Sequence, residues 1–257
     1  MAEQIDTLLN GRQIIQDKNR FMFGIDAVLL SDFASSSIKK NDKVIDLGTG
    51  TGIIPLLLES LTSCSNFTAL EIQKDSADMA RRSVALNGLE EKINIVQGDL
   101  KFLRSSEGPE TGCAPLFSKH SFSVVTCNPP YMNDSHGKQN ATEAMNIARH
   151  EICCNLEDVV SAADYLLSPH GRFFMIHRPY RLPEIFFLLL KYNLQPKVIQ
   201  MVIPAEGKEP NLVMVEARKN AQPRLKIEPQ LTVYGPDGEY TPEINEIYKR
   251  QQCHYRA

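Results

Sequence analysis

Short apolar runs alternate along the chain with segments in which apolar residues recur every three to four positions. The short runs indicate buried strands, and the longer spacing indicates helices with one buried face. The strands predicted in this way are 43–47, 67–71, 93–96, 122–127 and 172–176. The predicted helices are 53–61, 74–86, one that begins after Asn155, and 182–191. This alternation predicts an α/β fold with a mostly parallel sheet covered by helices on both faces.

The C-terminal part of the chain continues the sheet and then changes character. Two further strands are predicted at 197–203 and 212–217, as a hairpin that closes one edge of a seven-stranded sheet. After a turn at 235–238, Thr241 and Pro242 are typical of a helix start, with threonine as the cap and proline in the first position.

These elements predict three segments of one molecule. They are an N-terminal segment at 1–42, a main domain at 43–220, and a C-terminal extension at 221–257 packed on the same domain. Two connections look irregular. Residues 104–121 are expected to be a surface insertion, and the loop at 132–142 is a candidate substrate lid.

The composition is that of an ordinary globular protein, with 42% hydrophobic and 23% charged residues among 257. A net charge of −3 excludes a uniformly basic nucleic-acid-binding protein, so any contact with RNA or DNA must use local patches. The six cysteines include no CxxC pair, and no metal is expected. No apolar run is long enough for a membrane span or a signal peptide. A soluble cytoplasmic protein is therefore expected, with a monomer favoured and no membrane partner.

A glycine-rich segment, Asp46-Leu47-Gly48-Thr49-Gly50-Thr51-Gly52, joins the first predicted strand to its helix. Alternate glycines allow a tight turn and let a ligand approach bare main chain. The nicotinamide fingerprint is G-x-G-x-x-G, whereas this loop is G-x-G-x-G with an acid two residues before it. The loop resembles the S-adenosylmethionine loop of class I methyltransferases, which implies cofactor contacts for Asp46, Gly48, Thr49, Gly50 and Gly52. A dinucleotide site and a purely structural glycine turn are the alternatives.

Acidic residues also stand at the ends of the next two predicted strands. Glu71 ends the second strand, where a carboxylate can accept hydrogen bonds from both hydroxyls of a ribose. Asp99 follows the third strand and could accept a hydrogen bond from the amino group of the cofactor's adenine. Their neighbours Ile72 and Leu100 are expected in the same cofactor site. A helix cap is the alternative for each acid.

The tetrapeptide Asn128-Pro129-Pro130-Tyr131 follows the fourth predicted strand directly. The asparagine oxygen is a hydrogen-bond acceptor, and the prolines fix an extended path that aims the Pro129 carbonyl at the same point. The tyrosine ring offers a flat face on which a base or an amide can stack. We therefore interpret Asn128, Pro129, Pro130 and Tyr131 as catalytic residues that hold a planar nitrogen, with Asn128 also beside the cofactor. A structural Pro-Pro loop is the alternative.

Motifs spread from about residue 10 to 250 resemble the bacterial family that methylates adenosine 37 of a valine tRNA at its exocyclic amine. The matching segments are 21–30 (FMFGIDAVLL), 71–75 (EIQKD), 148–151 (ARHE), 176–179 (IHRP) and 211–219 (NLVMVEARK). The resemblance implies a class I S-adenosylmethionine-dependent methyltransferase with a Rossmann-like fold and an RNA substrate, a tRNA in the first instance. It also implies that Phe23 and Asp26 lie beside the cofactor pocket. A helix N-cap is the alternative for Asp26.

Other polar residues have less specific interpretations. His150 and His177 are expected to be structural, because methyl transfer to an amine needs no imidazole. Arg149 and Arg178 could hold phosphate, and ion-paired or solvated side chains are the alternative. A basic cluster could bind RNA or form a solvated face; it comprises Arg218, Lys219, Arg224 and Lys226, with Lys249, Arg250 and Arg256 in the tail.

The leading hypothesis is S-adenosylmethionine-dependent N6-methylation of an adenine in RNA. A protein glutamine N5-methyltransferase would use the same tetrapeptide, but the 42 residues before the first predicted strand are too few for the helical substrate domain of those enzymes. A ribosomal RNA or DNA amino-methyltransferase is a further alternative, and no separate DNA-recognition segment is evident. The non-enzymatic alternative is an RNA-binding scaffold that has kept the fold.

Overall fold

The computed structural model describes residues 3–18, 23–103, 116–129 and 154–253. Its helices are α1 (Ile25–Ser35), α2 (Ile53–Leu61), α3 (Lys74–Leu86), α4 (Leu156–Leu166), α5 (Leu182–Lys191) and α6 (Pro242–Cys253). Its strands are β1 (Glu3–Thr7), β2 (Gln13–Asp17), β3 (Val44–Leu47), β4 (Phe67–Glu71), β5 (Ile93–Gln97), β6 (Phe122–Cys127), β7 (Leu167–His177), β8 (Leu194–Ala205), β9 (Leu212–Lys219), β10 (Lys226–Ile227) and β11 (Leu231–Tyr234). Short 3-10 turns, Leu100–Phe102 and Pro179–Arg181, follow β5 and β7.

Within the described residues, nine strands form the central sheet, in the order β10-β8-β9-β7-β6-β3-β4-β5, with β11 also paired to β8. Strands β7, β6, β3, β4 and β5 are parallel to one another, and β9 is antiparallel to β7 and β8. The predicted α/β fold with a mostly parallel sheet is confirmed. The sheet exceeds the predicted seven strands because β10 and β11 both pair with β8. The β8–β9 hairpin therefore does not close the edge of the sheet.

The bounds of α2, α3, α5, β4 and β6 coincide with those predicted from the apolar pattern. Two strands begin several residues earlier than predicted because their pairing extends past the apolar run. β7 begins at Leu167, which pairs with Phe122, and β8 begins at Leu194, which pairs with Lys219. The pattern thus locates each strand, and the neighbouring strand sets its length.

Two apolar layers cover the faces of the sheet. On one face, α1, α2, α3 and α6 contribute buried side chains such as Leu57 and Ile244. On the other face, α4 and α5 contribute side chains such as Val160. Neighbouring residues of β3 alternate between the layers, with Val44 in the first and Ile45 in the second. Because both faces are covered, a ligand must approach the sheet at the strand ends.

Two helix starts predicted from the sequence are present. Asn155 caps α4 in a reciprocal capping box with Asp158. Thr241 precedes α6, and its hydroxyl accepts a hydrogen bond from the Ile244 amide at 3.4 Å. In the ranges that the structure describes, no helix is both long and apolar enough to span a membrane.

The β1–β2 hairpin is a separate antiparallel pair that the apolar pattern does not predict. The alternation of apolar and polar residues in these two strands is short, and Ile5 faces solvent with 56% of its surface exposed. Long-range contacts hold the hairpin on α3. Asn87, just after α3, accepts from the Gln13 amide at 2.8 Å and donates to the Gln13 carbonyl at 2.7 Å. The Ser83 hydroxyl accepts from the Ile15 amide at 2.9 Å.

Asn87→Ala is expected to lower the free energy of unfolding by about 1–3 kcal/mol, because it leaves the half-buried main chain of Gln13 without its partner. Urea unfolding checks the magnitude. Asn94→Ala, at an exposed position on β5, is the matched control and should change the free energy of unfolding by less than about 0.5 kcal/mol. Equal losses in the two variants would contradict the role given to Asn87.

Candidate active site

Strand register brings the predicted site residues to one edge of the sheet. Leu47 of β3 lies opposite Leu70 of β4 and Cys127 of β6, and Glu71 lies opposite Gln97 of β5. The carboxyl ends of four adjacent strands therefore stand side by side, about 4.8 Å apart. The glycine loop, Glu71, Asp99 and Asn128 all leave the sheet at this edge.

The glycine loop adopts a conformation that requires glycine. Gly48, Gly50 and Gly52 have φ angles of 69°, 57° and 89°, in the left-handed region. A Cβ built on Gly48 or Gly50 would have no atom within 4 Å, so the main chain borders open space there. A Cβ on Gly52 would lie 3.3 Å from the Cβ of Ala80 in α3. The first two glycines thus form an open cradle, and the third packs the loop against α3.

Glu71 fastens the glycine loop to β4. Its carboxylate accepts hydrogen bonds from the amides of Gly50, at 2.9 Å, and Gln73, at 2.8 Å. The side chain is buried, and this burial raises the pKa of Glu71, while the two amides act in the opposite direction. Ribose binding by Glu71 stays a prediction, and the structure assigns this residue a second role as a brace of the loop.

Asp46 is almost completely buried at the end of β3. Its Oδ1 accepts a hydrogen bond from the Thr126 hydroxyl at 2.7 Å, whereas its buried Oδ2 has no hydrogen-bond partner, and neither has the buried Thr49 hydroxyl. Burial raises the pKa of Asp46 to about 7, against the nearby hydroxyls of Thr126 and Thr49 and with a further contribution from the Glu71 charge. Unpaired buried acceptors are unfavourable. A ligand that brings an N–H donor or a positive charge would satisfy this site.

The other predicted cofactor residues, Asp99, Ile72 and Leu100, differ in their contacts and exposure. Asp99 caps the turn that follows β5, where its Oδ1 accepts from the Lys101 amide at 2.9 Å, so the helix-cap alternative applies to this residue. Ile72 is 40% exposed beside Glu71. Leu100 is half-buried against the α4–α5 layer. An exposed apolar side chain next to the Glu71 carboxylate suits the face of a base, and these contacts stay predictions.

The N-terminal segment reaches the same edge through α1. Arg172 in β7 bonds the Ser37 carbonyl just after α1, so α1 runs antiparallel to β7 and begins near the carboxyl ends of the strands. Phe23, half-buried just before α1, donates its amide hydrogen to Gln16 of β2 at 3.2 Å. The N-cap alternative for Asp26 is wrong, because Gly24 occupies the N-cap and Asp26 accepts from the Ala27 amide at 2.9 Å inside the first turn.

Asn128 is half-buried directly after β6, and Pro129 is buried. The Cys127 thiol before them donates to the Leu47 carbonyl at 3.2 Å, which fixes the end of β6 against the start of the glycine loop. Pro130 and Tyr131 lie outside the described residues. The same holds for the loop at 132–142, for Arg149 and His150, and for residues 104–115 of the insertion.

His177 and Arg178 lie at the same edge, which the sequence did not assign to the site. His177 is the last residue of β7, the strand next to β6, and is buried. Its Nδ1 accepts from the Arg178 amide at 2.7 Å, so Nε2 carries the proton. Burial, with the charges of Arg181 and Arg178, lowers the pKa of His177 to about 4. The sequence did contain a signal for this position. His177 and Arg178 directly follow the predicted strand at 172–176, just as Glu71 ends the predicted strand at 67–71.

The predicted basic cluster lies elsewhere. Arg218 pairs in register with Arg172, at the end of the β7–β9 pairing away from His177, and its guanidinium contacts Glu216 at 2.6 Å. Lys219 is buried and contacts Asp164 at 3.0 Å. Lys226 contacts Glu228. Among the described residues, no group of three or more His, Cys, Asp and Glu side chains could hold a metal ion.

A family model described as "methyltransferase small domain" matches residues 24–180, more than half of the chain. The chain belongs to this family. Membership agrees with a loop and strand-end acids arranged as in the predicted cofactor site, and it confirms the predicted methyltransferase class.

Curated relatives extend the match to nearly the whole chain. The chain is 29% identical to a protein of Porphyromonas gingivalis over 226 residues, which cover 86% of this chain and 84% of the relative. It is 26% identical to one of Bacteroides thetaiotaomicron, with 93% and 94% covered, and 28% identical to one of Histophilus somni, with 96% and 97% covered. All three are named tRNA1(Val) (adenine(37)-N6)-methyltransferase. The resemblance predicted from the motifs is confirmed.

Solved structures share the fold. A predicted O-methyltransferase from Agrobacterium tumefaciens superposes with a TM-score of 0.69 at 21% identity, over 88% of this chain and 97% of that one. A geranyl diphosphate C-methyltransferase from Streptomyces coelicolor gives a TM-score of 0.52 at 12% identity, over 74% and 75%. These likenesses concern the architecture of the sheet and its helices.

Asp46→Asn is expected to stabilise the ligand-free protein above neutral pH. The folded-state pKa of about 7 lies well above the ordinary value of an aspartate, so the stability of the native protein falls as pH rises from about 4 to 7. The asparagine side chain of the variant does not ionise, so the variant does not lose this stability as pH rises. The gain in free energy of unfolding should therefore grow between about pH 4 and pH 7 and then level off, at on the order of 4 kcal/mol.

Urea unfolding across this pH range measures the effect. Thr126→Val is the matched control: it removes the hydrogen bond to Asp46 Oδ1 and should lower stability above neutral pH. An Asp46→Asn protein that is less stable than wild type at about pH 8 would show that the buried, ionised Asp46 carboxylate does not destabilise the native protein.

Proposed function

We propose that this chain is an S-adenosylmethionine-dependent N6-adenine methyltransferase whose substrate is tRNA, with adenosine 37 of a valine tRNA as the target. The observation that carries the proposal is the placement of half-buried Asn128 at the end of β6, directly beside the glycine loop. The names and near-complete coverage of the curated relatives support the choice of substrate. A tRNA substrate places the enzyme in the cytoplasm.

The described residues fit the cofactor. Gly48 and Gly50 offer an open main-chain cradle, and Asp46 Oδ2 and the Thr49 hydroxyl are buried without partners. The ammonium group of the methionyl end would supply the donor and the positive charge that these atoms lack. Glu71 and Asp99 would accept hydrogen bonds from the ribose and the adenine amino group. One chain supplies all these groups, so a monomer suffices.

The residues after β6 would activate the target amine for methyl transfer. An exocyclic amine is a poor nucleophile, because its lone pair is delocalised into the ring. The Asn128 side-chain oxygen and the Pro129 carbonyl would each accept one N–H of the amine, which localises the lone pair and aims it. The bound cofactor supplies an electrophilic methyl group. Tyr131 would stack on the base turned out of the anticodon loop.

No general base is required, since the methylated amino cation is strongly acidic and loses its proton to water. His177 is unsuited to such a role, because its Nδ1 already accepts from the Arg178 amide and the imidazole is buried. The reaction therefore depends on orientation of the amine and not on proton abstraction.

Transfer of labelled methyl groups to total RNA tests the proposal, with RNase and protease digestion as controls. Label should be lost with RNase and kept with protease, and nucleoside analysis of purified valine tRNA should give N6-methyladenosine. Label that is lost only with protease would support a protein glutamine methyltransferase instead. Absence of transfer to either polymer by a folded protein that binds the cofactor would defeat the proposal.

Asn128→Ala should lower single-turnover methylation on the order of a hundredfold or more, as for loss of one preorganised hydrogen-bonding group in other enzymes. Cofactor affinity, measured by calorimetry, should change little, because the acceptor works on the target amine. Asn128→Asp keeps two acceptor oxygens and should retain more activity than the alanine variant. Near-normal turnover by Asn128→Ala would refute the proposed role.

Tyr131 is expected to act through its ring. Tyr131→Phe keeps the flat face and should retain most activity, whereas Tyr131→Ala should lose about 1–3 kcal/mol, the usual contribution of a base–aromatic stack. The loss should appear in RNA affinity and methylation rate at unchanged cofactor affinity. Equal inactivity of the two variants would indicate that the tyrosine hydroxyl is required. Full activity of both variants would show that the target base does not stack on residue 131.

A further inference from the structure

A cavity lies at the edge of the central sheet opposite the candidate active site. Its volume is about 440 Å³, and it is bordered by the segment after α1, the first residues of β6 and β7, and the end of β9. Ser123 at the cavity and Asn128 at the active site are separated by five residues of β6, about 17 Å of extended strand. The cavity is therefore distinct from the site of the cofactor and the target base.

The lining of the cavity is basic and rich in hydroxyl groups. It includes Lys39, His170, Arg172 and Arg218 with four serines, and none of the described residues that line it is acidic. Lys39 and His170 are exposed, and within the described ranges neither side chain has a partner. A volume of this size can hold a small ligand or a group of a larger one. Cationic and hydroxyl donors together suit the oxygens of a phosphate.

Two arginines of the lining face each other across neighbouring strands. Arg172 of β7 lies directly opposite Arg218 of β9. Their neighbours Phe173 and Ala217 belong to the α4–α5 layer, so by alternation both arginines lie on the other face of the sheet. Like charges directly opposite each other on one face are unfavourable. An anion bound between them would relieve this repulsion.

The adjacent carboxylates offset these charges only in part. Asp42 is buried and accepts from Arg172 Nη2 at 2.6 Å and from the Lys39 amide at 2.6 Å. Glu216 is buried and accepts from Arg218 Nε at 2.6 Å, while the Arg218 side chain stays 44% exposed. The carboxylates thus fix both guanidinium groups. The terminal nitrogens of Arg218 and the Lys39 ammonium remain for a ligand.

The surface around the cavity is basic as well. Asp42 is the only acid in the four segments that border it, which are 36–43, 116–123, 168–172 and 218–220. The same segments carry the exposed residues Lys40, Lys43 and Lys119. A chain with a net charge of −3 therefore concentrates cations at this edge. Such a surface suits an extended polyanion better than a single small anion.

We propose that this cavity binds a phosphate group, supplied by the backbone of the RNA substrate at a distance from the target adenosine. Only the RNA source of the phosphate rests on the proposed function. A folded tRNA is much longer than the strand that separates the two sites, so one molecule can occupy both. A free phosphate compound has the same chemistry, and the experiment distinguishes the two sources.

The first arm of the test measures binding of an unmodified valine tRNA transcript to the full chain over a series of salt concentrations. Lys39→Gln should weaken binding about fivefold near 0.1 M salt and lower the slope of log Kd against log salt by about 0.7 to 0.9, the value for one lost phosphate contact. Cofactor affinity should be unchanged. The variant should fold, because the Lys39 side chain is exposed and has no partner among the described residues.

Two control variants accompany Lys39→Gln. Lys39→Arg keeps the charge and should keep the slope. Arg81→Gln removes an exposed charge from α3, on a part of the surface that does not border the cavity, and should leave the slope as in wild type. An equal loss of slope in Arg81→Gln and Lys39→Gln would reflect net charge alone and would overturn the proposal.

The second arm titrates wild-type protein and Lys39→Gln with inorganic phosphate in the absence of RNA, followed by calorimetry. A lowered tRNA slope in Lys39→Gln assigns the cavity to the RNA backbone. Phosphate binding that Lys39→Gln loses, at an unchanged tRNA slope, assigns it to a free phosphate compound. Unchanged behaviour of Lys39→Gln in both arms would overturn the proposal.

The outcomes separate this inference from the proposed function. Wild-type protein that does not methylate the tRNA would remove the proposed function, and the phosphate titration would then decide the cavity alone. Wild-type protein that methylates the tRNA, together with a Lys39→Gln variant unchanged in both arms, would remove only the phosphate site.

Discussion

Two carboxylates buried at the ends of adjacent parallel strands impose the main constraint on this molecule. Glu71 is satisfied by two main-chain amides, one of which belongs to the glycine loop. Asp46 has one hydroxyl partner and one oxygen with none. The Glu71 charge makes the ionised form of Asp46 less favourable, and the apolar layers on both faces of the sheet must offset this. The position of the loop follows from this arrangement, and so does the proposed affinity for a cationic ligand.

The sequence predicted the elements whose limits are local. The helices α2 and α3 and the strands β4 and β6 begin and end where the apolar pattern does. Elements that depend on distant partners were missed: the β1–β2 hairpin needs Asn87, and β10 needs the Val198 region of β8. Asp26 was open to a cap interpretation because composition does not reveal that Gly24 takes that position.

The candidate site was predictable for a topological reason. In a parallel sheet, the carboxyl ends of all strands meet at one edge, so residues such as Glu71 and Asn128 converge whatever the loops between them do. The direction of each side chain was not predictable. Glu71 turns to the loop and Asp99 to its own turn because of local amides that no motif specifies. Arg178 shares the topological signal, but its orientation depends on the Asn211 carbonyl, thirty-three residues further along the chain.

The packing of Gly52 on Ala80 links the cofactor loop to a residue that touches no ligand. A Cβ added at Gly52 would lie only 3.3 Å from the Cβ of Ala80, so neither position has room to grow unless the other gives way. In a library of variants, position 80 should therefore accept glycine or alanine and reject larger side chains, with the defect appearing as altered loop geometry and not as global unfolding. Natural substitutions at positions 52 and 80 should be correlated. The surface of α3 that packs on the glycine loop should therefore vary together with the loop during evolution.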